Sequence, residues 1–261
     1  MLRKFPGDYQ KRLKKLSKRY NRSSIAVDRL ERYAARLYSL INKREFDLVV
    51  MAGNSGLVMG EIAKMVYEYA ERPFPPHIAI PVYRDNTVHD DRYEINKATE
   101  VLFVDDEIAT GTSAKFCIEA ILRSLTNVSH VNFTIVAENM FFEWHYRIPG
   151  VSVYFYSYGK TIHGLTNNIS HVLNDRDFNT LRKYIPIHGE KKQVLAMLLS
   201  GKVKVKDNDG NWCFDETIEG KVVARTKNYA GIKRSVVSDI SIYIKSGIDK
   251  YKDEKIKFVG E

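Results

Sequence analysis

Apolar residues fall in short blocks along this chain, and small or polar residues separate the blocks. Val101, Leu102, Phe103 and Val104 run straight into Asp105 and Asp106, the pattern of a buried strand that ends at two acids. A small-residue turn follows over 109–113. Ala114, Cys117, Ile118, Ile121, Leu122 and Leu125 then recur at helical spacing. The unit reads strand, tight turn, helix. Residues 46–69 repeat it: a buried strand over 46–52, a Gly53-Asn54-Ser55-Gly56 turn and a helix over 57–69. Further buried strands are expected over 78–83, 131–137 and 151–156. Ahead of them, Ile25, Leu30, Tyr33, Ala34, Leu37, Tyr38 and Ile41 form the apolar face of a helix that Ser23 or Ser24 would cap.

Alternating strands and helices predict an α/β fold, a parallel five-stranded sheet flanked by helices. The pattern changes after a boundary at 186–190. A short helix is expected over 194–199. Lys202-Val203-Lys204-Val205 then alternates, Asp207-Asn208-Asp209-Gly210 is a hairpin turn, and 212–214 continues the hairpin. With further strands expected over 221–225 and 238–245, residues 186–261 read as a small, mostly β C-terminal unit. The domains are then a basic segment over 1–22, the α/β domain over 23–185, and this unit.

Charge sharpens that division. The net charge is +9, but residues 1–22 hold nine Lys or Arg against one acid, 23–185 hold seventeen against twenty, and 186–261 hold fifteen against eleven. Tyr9, Leu13, Leu16 and Tyr20 stand at helical spacing within the first segment. Such a basic end attracts nucleic acid or a phosphorylated substrate, or it is a solvated surface helix, and both readings stay open. Two distant cysteines imply neither a disulfide framework nor a thiolate metal site, and Cys117 reads as a small core residue. With no apolar signal core and no apolar run of spanning length, a soluble cytoplasmic protein is expected, with no membrane partner.

The chemistry concentrates at the ends of two strands. A turn rich in N–H and hydroxyl donors at a helix start holds a phosphate well. Two carboxylates at a strand mouth suit a polyol such as ribose, or its bound metal ion. Two acids closing an apolar strand have no packing reason to be there. The stretch 101–114 closely resembles the phosphoribosyl-pyrophosphate (PRPP) signature of the type I phosphoribosyltransferases. The resemblance extends over about 46–160 and is specific at 101–114.

That resemblance implies a Mg2+-dependent transfer of a phosphoribosyl group from PRPP to a nitrogenous base, with release of pyrophosphate. It makes Asp105 and Asp106 the ribose acids and the residues nearest the metal. Ala109, Thr110, Gly111, Thr112 and Ser113 become the 5'-phosphate loop, and Ala52, Gly53, Asn54 and Ser55 the pyrophosphate loop. Arg84, ahead of Arg92 and Lys97, is the candidate for meeting pyrophosphate from the polar segment 84–99. Asp85, Asp90 and Asp91 in that segment either bind magnesium or face solvent. Tyr158 is the candidate for stacking on the base. Ala109 cannot serve as a base, so acid-base help falls to the nucleophile, to Glu107 or to the aromatic tail. Two other functions remain open: a non-catalytic PRPP or nucleotide sensor, acting on nucleic acid, and a transferase with an unusual acceptor. A homodimer is open as well.

Overall fold

The computed structural model describes residues 24–82, 95, 97–108, 111–125, 128–139, 147–157, 165–169, 172–185 and 190–253. The amphipathic pattern at 9–20 lies outside them. Helix α1 (Ser24–Ile41) leads into strand β1 (Leu48–Ala52), helix α2 (Gly53–Tyr69) and strand β2 (His77–Ile80). Strand β3 (Glu100–Ile108), helix α3 (Thr112–Ser124), β4 (Val131–Asn139) and β5 (Val151–Ser157) complete the sheet. After it come α4 (Leu165–Ile169), α5 (Asp175–Leu181) with a 3-10 turn at Arg182–Tyr184, α6 (Lys191–Ser200), the strands β6 (Val203–Lys206) and β7 (Trp212–Asp215), α7 (Ile218–Val223) and α8 (Tyr229–Tyr251).

The five strands are all parallel in the order β2-β1-β3-β4-β5, and β6 pairs antiparallel with β7. This is the α/β fold with a small β unit that the pattern predicts. Residues on both sheet faces are apolar, which is why the strands read as unbroken runs. Leu48, Val50, Phe103, Phe133 and Ile135 face α3, where Cys117, Ile118 and Ile121 pack on them. Val49, Met51, Leu102, Val104 and Val136 face the opposite layer. That layer contains α1 and α2 together with Leu195 and Leu198 of α6, Val203 of β6, and Ile240 and Ile244 of α8, in one continuous cluster. Gly56 lets α2 lie on the sheet: a Cβ there would stand 2.7 Å from the Met51 carbonyl carbon and 3.2 Å from the Val104 oxygen.

Two expectations are corrected. Residues 221–223 and 238–245 are helical, in α7 and α8, and 224–225 form a turn, where strands were expected. In α7, Ile218 and Val222 are buried one turn apart while Val223 is exposed, a helical and not an alternating arrangement. In α8, Ile240, Ile242, Tyr243 and Ile244 are all buried because the helix packs on several neighbours at once. The second correction concerns β3, which continues through Asp105 and Asp106 to Ile108 instead of ending at the acids. Its register with β4 shifts there: Val104 faces Val136 but Glu107 faces Glu138. One extra residue is therefore accommodated in β3 as a bulge.

Candidate functional site

The strand order reverses between β1 and β3, since β1 connects outward to β2 on one side and the chain returns to place β3 on the other. In open parallel sheets, ligands bind in the crevice outside the carboxyl ends of the strands at such a point. A cleft of about 460 Å3 opens at that place. Ala52, Gly53, Asn54 and Ser55 line it from the end of β1, Asp105, Asp106 and Glu107 from the end of β3, and Ser113 from the first turn of α3. The 52–55 turn and the acids at the end of β3, some fifty residues apart, thus meet in one cavity, and of the described residues of the 109–113 turn Ser113 lines it while Gly111 and Thr112 do not.

Local geometry explains each contribution. Gly53 has φ +60° and lets β1 turn directly into α2, with Val82 O only 3.3 Å from where its Cβ would stand. The pyrophosphate-loop candidates are therefore the last residue of β1 and the first turn of α2, with no separate loop between them. The bulge in β3 does the same service for the acids. Successive side chains of a regular strand point to opposite faces, and the bulge is what allows Asp105 and Asp106 both to line the cleft.

The acids are held differently. Asp106 is buried, and its Oδ2 accepts a hydrogen bond from the Thr166 hydroxyl and another from the Thr166 backbone N–H at 3.3 Å. The Thr166 hydroxyl also lies 3.4 Å from Ser55 Oγ, so a fully buried threonine of α4 links the two strand ends. Asp105 Oδ1 accepts the Asp106 backbone N–H at 2.8 Å. Burial, and then the Asp106 charge beside it, push the Asp105 carboxyl well above the usual carboxylate range. Next along the sheet, Glu138 faces Glu107 across the β3–β4 register and is fully buried. The Arg29 guanidinium from α1 binds Glu138 through both Nε and Nη2, a bidentate ion pair.

The fourth wall comes from the C-terminal segment. Glu190, Lys192 and Gln193 line the cleft from the start of α6, and Lys204 and Trp212 from the hairpin. Lys204 donates its backbone N–H to Asn54 Oδ1 at 2.8 Å and its ammonium to Val82 O at 2.6 Å. Sequence reasoning missed Thr166, Arg29, Glu138 and this hairpin wall. The alternation at 202–205 put Lys204 on one face of a strand, yet nothing in it marked which cavity that face adjoins.

Gly111 and Thr112 sit at the entrance to α3, directly before Ser113. Ala109, Thr110, Arg84 and Tyr158 lie outside the described residues, as do Asp85, Asp90, Asp91 and Arg92. Lys97 is exposed and does not line the cleft. No helix among the described residues is long and apolar enough to cross a membrane. No protein-family model matches the chain, and no curated protein sequence matches it.

Proposed function

We propose that this cleft binds PRPP and that the protein transfers its phosphoribosyl group to a nitrogenous base, releasing pyrophosphate. The observation that carries the reading is the meeting of the 52–55 turn and the Asp105-Asp106 bulge in one cleft at the strand-order reversal. Ribose hydroxyls would donate to Asp105 and Asp106. The 5'-phosphate would sit against the start of α3 at Gly111, Thr112 and Ser113, since a helix N-terminus favours an anion and Ser113 lines the cleft there. Pyrophosphate would lie against residues 52–55.

The donor set suits Mg2+. Asp105 and Asp106 stand side by side in one bulge on the cleft wall, and burial first and the Asp106 charge second raise the Asp105 carboxyl, a cost that a divalent cation between the two acids would relieve. Among the described residues no group of three or more potential protein ligands exists, and two carboxylates completed by substrate oxygens is the usual way Mg2+ is held. When bound it would offset the negative charge of the pyrophosphate. In the transfer, the bond from the anomeric carbon to pyrophosphate oxygen breaks and its electron pair leaves with pyrophosphate. A ring nitrogen of the base forms the new bond, and its proton passes to water or to Glu107. The chain's own work is to fix the ribose and orient the nucleophile.

The test is calorimetric titration of the wild-type protein and of a D105N/D106N variant with PRPP and Mg2+, followed by a screen of bases for pyrophosphate release. Binding by the wild type that the variant loses is the expected result. A wild type that gives no binding heat refutes the assignment. Binding without release from any base would make the protein a sensor.

A further inference from the structure

We propose that Lys204, brought in by the C-terminal hairpin, is the cation that receives the pyrophosphate group at the 52–55 turn. The inference rests on the PRPP reading of the cleft. The turn offers backbone groups and the side chains of Asn54 and Ser55, but no positive charge of its own. A pyrophosphate gains negative charge as its bond to the sugar breaks, so a fixed cation beside that turn favours the transition state over the bound substrate.

Lys204 is placed for this by contacts to both flanking strand ends. Its backbone N–H docks on Asn54 Oδ1, inside the turn, and its ammonium is held by Val82 O just beyond β2. The Trp212 ring, on the neighbouring strand, supports the ammonium at 4.6 Å, and the Lys206 ammonium lies 5.1 Å from the same ring. Lys204 and Trp212 both line the cleft with Asn54 and Ser55. The hairpin thus supplies from 150 residues away the charge that the local sequence lacks.

Lys204→Met keeps the hydrocarbon stem against Trp212 and removes the charge. Calorimetry on the full chain would use PRPP with Mg2+, inorganic pyrophosphate with Mg2+, and ribose 5-phosphate. For K204M the expected result is a loss of about ten- to hundredfold in PRPP and pyrophosphate affinity, the range of one charge-assisted contact. Ribose 5-phosphate affinity should stay within about twofold, a change well under 1 kcal/mol, and K204R should restore most of the loss. Unchanged PRPP affinity in K204M overturns the proposal. So does an equal loss for ribose 5-phosphate, which would make Lys204 a mere anchor of the hairpin. A wild type that binds ribose 5-phosphate and PRPP with the same affinity also overturns it while leaving the ribose site standing. No PRPP binding by the wild type removes the parent reading, and this proposal with it.

Discussion

Replacing Arg29 by methionine removes the partner of a carboxylate that water cannot reach. Glu138 has 0% of its side chain exposed and Arg29 9%, and the guanidinium meets both carboxylate oxygens. Breaking a buried pair on one side costs roughly 3–5 kcal/mol, because the remaining charge is stranded in a poor solvent. A typical domain is stable by only about 5–15 kcal/mol, so the loss would be plain in equilibrium urea unfolding. The deficit must also depend on pH. Without Arg29, the Glu138 carboxyl in the folded protein would rise above its unfolded value of about 4.3. A raised carboxyl costs nothing below the unfolded value and costs progressively more as pH climbs to the folded one. The R29M variant should therefore approach wild-type stability in acid and fall behind it at neutral pH. An R29M/E138L double variant, which buries two apolar side chains instead, should recover most of the loss. An R29M protein within about 1 kcal/mol of wild type at neutral pH would refute the reasoning, as would a double variant no better than the single one.

Asp105→Asn should stabilise the fold at neutral pH. The wild-type carboxyl is raised by burial and by Asp106, so this one group's contribution to stability falls as pH rises from about 3.9 towards the raised value; the melting temperatures of wild type and variant should coincide near pH 3 and separate near pH 7. Gly56→Ala should cost about 1–3 kcal/mol, since its Cβ would press on the backbone at Met51 and Val104; an unchanged melting temperature would show that the helix and sheet part freely there. Thr166→Val should destabilise by about 1–3 kcal/mol through loss of the hydroxyl to a charged, buried acceptor, and Thr166→Ser should restore most of it in the same melt.

The sheet was readable because its strands are buried on both faces. Val101 to Val104 must be apolar whichever way each side chain points, and the pattern says so without any knowledge of topology. The small residues at 52–56 were readable for a related reason, since close helix–sheet approach excludes larger ones. Helix α8 was not. Ile240, Ile242 and Ile244 alternate with Ser241 and Tyr243, which reads as period two. Between Val236 and Ile248 no residue of this helix is exposed, so over that middle stretch the amphipathic stripe that betrays a surface helix does not develop. The bulge at Asp105 left no trace in the pattern either, because a single extra residue changes pairing and not composition. Thr166 and Lys204 act through contacts 60 and 150 residues distant, and periodicity carries no information at that range.

The packing of α8 on α1 has a consequence for how the chain comes to be folded. Ser246 donates to Glu31 at 2.6 Å across a separation of 215 residues, and Tyr251 reaches Asp28 beside it. Contacts of such sequence separation form late and slow folding, since a long loop must close before they stabilise anything. During synthesis at about 5–20 residues per second, α1 would wait roughly ten to forty seconds for its partner. Over that interval β1, β3, β4 and β5 can assemble, and α3 can cover one face. The other face, with Val49, Met51, Leu102, Val104 and Val136, stays only partly roofed by α1 and α2 until α6 and α8 arrive. The half-built protein is therefore sticky on one side only, and the cleft gains its hairpin wall in the same late event that closes that side.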